Sequence, residues 1–500
     1  MADFHFTANL LERYIQKTAS EFTLNDIINY VFEKEIEMIN LRYVAEDEKL
    51  HTLNFVVTGR EELENLLRYG ERVNGHAVFS YMQNDHPDLY VIPRYNTAFL
   101  NPFSEIPTID LLCSFHTWDG EPLESAPANI LQRAVDLFTA ESTYDVKIFG
   151  ELEFYVVSQI DHSYVSDESN YQSSAPFSKF EAIRVEAIRT IARCGGKIRF
   201  AHAEHGSFKL NNRHYEQHEI EFLPSSPGEA IDQLHIAKWV LRMIGRKHGV
   251  DIVFSPKVAI DQPGNGLHIH LILEKDGINI LGEGREFRKT AMHTISGILQ
   301  HAGSITAFAN TIPTSFLRLN DQLRAPHSVC WGPSNRSALI RIPKINMKAL
   351  NDQSQQRNKN RHKQEFIYNQ SIEYRGADPS ASLYLFVAAI LVAATHGLHD
   401  EEYMVRMKTC LVSENLNDPE QAAARSSLTP LPASCLEAAE QLLHDEDLYT
   451  ESYPVFPKNL IQHLVLQHRQ MGALWRTEDK DASRNNEAIG RMIEHFMHYR

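Results

Sequence analysis

The sequence has no cysteine framework, no excess of positive charge, no leader-like start and no apolar run long enough to span a bilayer. Its five cysteines, Cys113, Cys194, Cys330, Cys410 and Cys435, are odd in number and scattered without metal-ligand spacing. That pattern argues against a disulfide scaffold and suits a reducing cytoplasm, the expected location. A net charge of -16 disfavours nucleic acid and anionic lipid as partners, which leaves small molecules or other protein chains. The start, Met1-Ala2-Asp3-Phe4-His5-Phe6, carries neither the basic region nor the apolar stretch of a signal peptide. The longest apolar run, Leu383 to Ala394, falls short of the roughly 20 residues a membrane span requires and reads as a buried helix.

At 500 residues, 43% of them hydrophobic, the chain exceeds one ordinary core, so a second domain is expected. Leu24 to Phe32 has helical apolar spacing within an N-terminal extension, residues 1–34. Ile36 to Tyr43 and Leu50 to Val57 read as strands separated by the polar Glu46-Asp47-Glu48-Lys49 turn. With Leu89 to Pro93 and Ile109 to Cys113 they define a small β-rich domain, residues 35–122. A larger domain, 123–500, opens with a helix on which Ile130, Leu131, Ala134, Val135 and Phe138 share a face. It continues into a strand, Val146 to Val157, that carries Glu151 and Glu153. Glu229 to His248 predicts another helix, and Asp251 to Phe254, His268 to Leu273 and Leu339 to Ile342 predict strands, which makes the fold class α+β. The polar, basic run Gln353 to Lys363 reads as a long mobile loop.

Positions two apart on a strand face the same side, so Glu151 and Glu153 aim two carboxylates into one space and repel unless cations intervene. Alone, the pair is also readable as two solvated acids on a sheet face. Glu204 and Glu219 lie in apolar-flanked segments as well, and His268-Ile269-His270 and Glu373-Tyr374-Arg375 repeat the same-face spacing. Carboxylates with imidazole and no thiolate suit Mg2+ or Mn2+ better than zinc. Arg318, Arg336, Arg341 and Arg375 punctuate stretches that read as apolar strands, where an unpaired guanidinium is costly. Each alone is explained by a salt bridge. Four beside a multi-carboxylate centre suit phosphate and carboxylate substrates, the mixture that phosphoryl transfer needs.

Several segments, in order, resemble the glutamine synthetase family: Gly150-Glu151-Leu152-Glu153-Phe154, His202-Ala203-Glu204, Gln217-His218-Glu219-Ile220, Gly264-Asn265-Gly266-Leu267-His268-Ile269-His270, Asn335-Arg336-Ser337-Ala338-Leu339-Ile340-Arg341-Ile342-Pro343 and Ile372-Glu373-Tyr374-Arg375. The resemblance runs from about residue 35 to the C-terminus. It implies a ligase that uses ATP to phosphorylate the γ-carboxylate of glutamate and lets ammonia displace the phosphate. It also implies a β-grasp-like N-terminal domain, a catalytic domain with a curved, largely antiparallel sheet and flanking helices, and rings of subunits that share active sites. By the same resemblance Glu153, Glu204 and Glu219 form one site for Mg2+ or Mn2+, and Glu151, His268 and Glu373 a second. Arg318 and Gly264 fall in the glutamate site, Arg336 and Arg341 hold phosphates, Arg375 serves the γ-carboxyl and the transferred phosphoryl, and His270 contacts the nucleotide.

The departures from the family pattern concern the amine. Where the family has Asp-Gly-Ser-Ser, with an Asp for ammonium, this chain has Asn74-Gly75-His76-Ala77. Where the family loop reads Arg-Leu-x-Pro-Gly-Tyr-Glu-Ala-Pro, with a Glu that takes the amine proton, this chain reads Arg318-Leu319-Asn320-Asp321-Gln322-Leu323-Arg324-Ala325-Pro326. Two like charges about 4 Å apart at an effective dielectric near 20 repel by roughly 4 kcal/mol, about a thousandfold in affinity. Free ammonium is therefore expected to bind poorly, and Arg324 becomes a candidate for recognising an anionic group on a larger amine. Pro263 stands where Asn precedes the family's Gly, Ile272 where it has Ser, and Ser371 where it has a phosphate-binding Arg. Three readings stay open: a ligase for another amine, a catalytically weak relative kept for assembly or regulation, and a glutamine synthetase with a rearranged ammonium site.

Overall fold

A computed structural model of the chain describes residues 6–82, 87–160, 170–281, 285–321, 325–343, 370–475 and 482–499. Arg324 and the run Gln353 to Lys363 lie outside the described residues. The helix Leu24–Glu33 begins at a reciprocal cap, with Thr23 Oγ1 accepting from the Asp26 N–H and the Asp26 carboxylate accepting from the Thr23 N–H, and it buries Ile27, Ile28, Tyr30 and Val31.

The first sheet comprises β1 (Met38–Val44), β2 (Leu50–Val56), β3 (Glu71–Asn74), β4 (Asp88–Pro93), β5 (Phe99–Leu100) and β6 (Thr108–His116). Its order is β2-β1-β6-β4-β3, with β5 also on β6, and only β1 and β6 run parallel. The second sheet comprises β7 (Asp145–Gln159), β8 (Ile198–Leu210), β9 (Arg213–Phe222), β10 (Asp251–Val253), β11 (Leu267–Lys275), β12 (Ile278–Asn279), β13 (Trp331–Pro333), β14 (Ile340–Ile342) and β15 (Ile372–Tyr374). It runs β13-β14-β15-β11-β7-β9-β8 and is antiparallel except between β13 and β14. The architecture is α+β with a curled sheet, as the sequence predicts.

Helices cover this second sheet. The helix Leu383–Leu398 is apolar on every side because it is buried on every side, packed against the helices Pro127–Ser142 and Arg285–Gln300. Among the described residues no single helix is long and apolar enough to cross a membrane.

Two expectations fail. Arg318 lies on a helix, Pro313–Asn320, where Pro313 at the first helical turn fits its fixed φ and missing N–H. Arg336 lies in a turn between β13 and β14, and it is exposed rather than buried in a strand. Ser334 adopts a left-handed φ of 58° there, and Asn335 Oδ1 accepts from the Ser337 N–H at 3.0 Å, the local hydrogen bonding by which Asn makes turns.

Candidate active site

Strand register builds the site. Glu151 on β7 stands opposite His268 on β11 and opposite Glu221 on β9, while Glu153 stands opposite Glu219, which in turn faces His202 on β8. Across β11 the row continues, His270 facing Glu373 on β15 and Glu373 facing Arg341 on β14. One face of one sheet thus carries carboxylates, imidazoles and a guanidinium in neighbouring rows. His268 Nδ1 lies 2.6 Å from Glu151, and His270 Nε2 lies 3.1 Å from its other oxygen. The second nitrogen of His270 meets the buried Ser371 hydroxyl at 2.7 Å, so Ser371 orients this ring.

Among the described residues donor atoms gather in three groups, each within 4.8 Å: Glu151, His270 and Glu373; Glu151, Glu219 and His268; His202, Glu204 and Glu219. Their oxygen-rich chemistry fits Mg2+ or Mn2+. Glu153 joins none of them, since its Oε2 accepts from the Gly266 N–H at 2.7 Å and from Gln217 Nε2 at 3.1 Å. His202, Gln217 and Glu221 received no role in the sequence analysis. The two-residue spacing that picked out Glu151 and Glu153 holds equally for His202 with Glu204 and for Glu219 with Glu221, and would have found them.

Electrostatics divides the cluster. Burial pushes the Glu219 carboxyl well above its ordinary value, and the charges of Glu151, Glu153, Glu204 and Glu221 push it further. Burial also opposes ionisation of Glu151, but His270 and His268 outweigh it and hold Glu151 well below the usual range. At Glu373 burial is again overcome, chiefly by Arg375 and then His270, and the carboxyl falls to about 2.

The arginines complete the site. Arg375, just past β15, is buried, pairs with Glu373 through Nη1 and donates from Nε to the Arg336 carbonyl at 3.1 Å; Arg341 reaches the second Glu373 oxygen at 2.5 Å. Arg318 is buried and donates to the carbonyls of Gly376 and Arg375, each at 3.3 Å. Gly264 sits against its stem: a Cβ there would lie 2.2 Å from the Pro256 carbonyl oxygen and 3.1 Å from Arg318 Cγ, so a larger residue has no room. A cavity of about 660 Å3 joins the carboxylates, Arg318, Arg336, Arg341, Arg375 and Gly264, and its wall extends to Tyr171 and Phe200. Asn74 does not line it; it is exposed and caps a short helix, Oδ1 accepting from the His76 N–H at 3.1 Å.

The family profile described as glutamine synthetase, catalytic domain, matches residues 124–480. The chain belongs to the glutamine synthetase family. Glutamine synthetase of Thermus thermophilus is 27% identical over 414 residues, covering 80% of this chain and 84% of that protein. Glutamine synthetase of Microchaete diplosiphon is 25% identical over 478 residues, covering 89% and 94%. In fold, the chain is similar to the Plasmodium falciparum glutamine synthetase, with a TM-score of 0.73 at 18% identity over 92% of this chain and 98% of that one. It is also similar to GmaS solved with ADP, with a TM-score of 0.71 at 19% identity over 91% and 98%. Glutamine synthetases are ATP-dependent ligases, and membership places this chain in that enzyme class.

Proposed function

We propose that this chain is an ATP- and Mg2+- or Mn2+-dependent ligase that joins glutamate to an amine other than free ammonium. The observation that carries the reading is a cavity in which one sheet face presents convergent carboxylates and imidazoles together with Arg341, and which Arg318, Arg336 and Arg375 also line. Curated relatives that cover most of the chain are glutamine synthetases, which supports glutamate as the acid.

Divalent cations held by Glu151, Glu204, Glu219, His268 and Glu373, with Glu153 beside them, would screen the phosphates and the anionic acid from the carboxylate cluster. In this reading Arg318, beside Gly264, holds the α-carboxylate bidentately. Arg336, Arg341 and His270 serve the nucleotide, and Arg375 stabilises charge on the transferred phosphoryl. The γ-carboxylate oxygen attacks the terminal phosphorus of ATP and ADP leaves. The amine nitrogen then attacks the acyl carbon, and phosphate leaves carrying the proton that the nitrogen gives up. With an amide at Asn74 and a cation at Arg324, the amine end has lost the two anions that the family resemblance assigns to ammonium, and Arg324 recognises an anionic group on the incoming amine. Asn74, exposed and away from the cavity, serves the site of a neighbouring copy in a ring, which makes the assembly the active form. The 35–122 and 123–500 division and a cytoplasmic location complete the reading.

The test is phosphate release from Mg-ATP with glutamate, across ammonia, amino acids and alkyl amines. Release stimulated by an amino acid and not by ammonia supports the proposal. Efficient release with ammonia alone replaces it with ordinary glutamine synthesis. ATP binding without release for any amine leaves a relative kept for assembly or regulation.

A further inference from the structure

We infer that Lys257 and Asp321, neither of which lines the cavity, form a positioning pair that sets Arg318 and Gly264 for the acid substrate, a role that rests on the ligase reading above. Lys257 belongs to the segment between β10 and β11 that also carries Pro263, Gly264 and Asn265, and it is 4% exposed. Its ammonium donates to the Gln262 carbonyl at 2.6 Å and is in direct ion-pair contact with the Asp321 carboxylate. Asp321 is the residue that ends the helix Pro313–Asn320, and its N–H bonds the Arg318 carbonyl at 3.3 Å.

Each charge is badly placed without the other. A buried ammonium lacking an anion is costly, and an acid at a helix C-terminus faces the negative end of the helix dipole. Paired, they tie the glycine-bearing segment to the end of the helix that carries Arg318.

The segment has little freedom left. The Asn265 N–H bonds the Pro256 carbonyl at 3.0 Å, Asn265 Nδ2 bonds the Ser255 carbonyl at 2.9 Å, and the Tyr155 hydroxyl bonds the Pro263 carbonyl at 2.8 Å. Gly264 lies against the Arg318 stem, so a shift of the segment moves that stem. Among the described residues the guanidinium donates to two carbonyls, both at the long distance of 3.3 Å, and beyond the pull of the Asp378 and Glu153 charges its aim rests on the stem. The pair also engages Asp321, the nearest acid in sequence to Arg324, so that carboxylate is committed to Lys257 rather than to an ammonium ion.

The test compares Lys257→Met, Asp321→Asn, the double variant and the conservative Asp321→Glu in the full-length assembly. Each single change is expected to raise KM for glutamate about tenfold while kcat and the KM for ATP move less than about threefold. The double variant is expected to be no worse than the worse single, and Asp321→Glu to recover most of the loss. Additive losses, or a fall in kcat at unchanged KM, would overturn the inference. Should Lys257→Met fail to fold, Asp321→Asn and Asp321→Glu carry the comparison. Hydrogen exchange of the amides of residues 314–320, measured on the same proteins without ligand, keeps the pair separable from the ligase reading. If the wild type uses no glutamate, the ligase reading fails by itself. Unchanged exchange in both single variants would then overturn the pair, and faster, non-additive exchange would support it.

Discussion

On the first sheet Asp110 is fully buried, and everything polar near it turns inward: Arg42 pairs with it, Asn40 donates at 2.7 Å and Asn101 at 3.1 Å, and the Arg42 guanidinium lies over Trp239. On the second sheet Glu151, Glu153, Glu204, Glu219 and Glu221 crowd one face, where Arg199 meets Glu221 and the imidazoles of His268 and His270 meet Glu151. The first cluster neutralises itself and acts as structure. The second crowds carboxylates against one another on one sheet face, an arrangement that favours cations arriving from outside. Buried charge marks a functional centre where the molecule leaves it unbalanced.

The largest expected effect breaks the balanced cluster. Asp110→Ala strands Arg42 and two amides, and a buried pair cut on one side costs about 3–5 kcal/mol. Urea unfolding should show that loss with no change in metal affinity; a cost under about 1 kcal/mol would mean that Arg42 finds another partner and that the two clusters differ less than argued.

The unbalanced cluster should respond with the opposite sign. Glu219→Gln removes one of several mutually repelling carboxylates, so the metal-free protein is expected to gain on the order of 1 kcal/mol near pH 8 while Mn2+ loses most of its stabilising effect. Melting curves with and without Mn2+ decide this. Destabilisation in both would show Glu219 to be a structural acid like Asp110.

A pH series sharpens the same contrast. Glu219 holds its proton more firmly folded than unfolded, where the value is 4.5, so its contribution is complete below that value and is lost as pH rises through the raised folded value. Glu151 and Glu373 run the other way: their contributions are present above 4.5 and are lost as pH falls through their lowered folded values, about 2 for Glu373. The metal-free unfolding free energy should therefore decline on the alkaline side of pH 4.5, by up to about 1.4 kcal/mol per pH unit for one proton, and Mn2+ should flatten the decline because it takes the proton's place. An alkaline decline that Mn2+ leaves untouched would place its origin outside this cluster.

What was legible in the sequence follows from the same physics. Glu151, Glu153, His268 and His270 sit on long strands whose two-residue period fixes which way side chains point, so which of them share a face was legible, whereas Glu373 sits on the three-residue β15 and joins them through its register with His270. Arg318 and Arg336 were misplaced because a few apolar neighbours look alike in a strand and in a short helix or turn; Pro313 and the Ser334-Asn335 pair held the correcting signal. The regrouping of donors, with Glu153 turned to Gln217 and Gly266, depends on contacts between segments 64 and 113 residues apart, which no local pattern encodes. Lys257 with Asp321 is of the same kind.

The smallest expected effect concerns the amine end. Asn74 is an exposed N-cap, and Asp caps a helix as well as Asn does, so Asn74→Asp should fold as the wild type does. It restores one of the two anions that the family resemblance places around ammonium, in a solvated position where a charge pair contributes about 0.2–1 kcal/mol. Ammonia-stimulated phosphate release should therefore improve by no more than about fivefold, because the opposing cation at Arg324 is untouched. Adding Arg324→Glu should produce the far larger gain, up to about the thousandfold set by the repulsion it removes. If Asn74→Asp alone brought a hundredfold gain, the cation at position 324 would not oppose ammonium. The chain would then be a glutamine synthetase one residue away from its ordinary substrate.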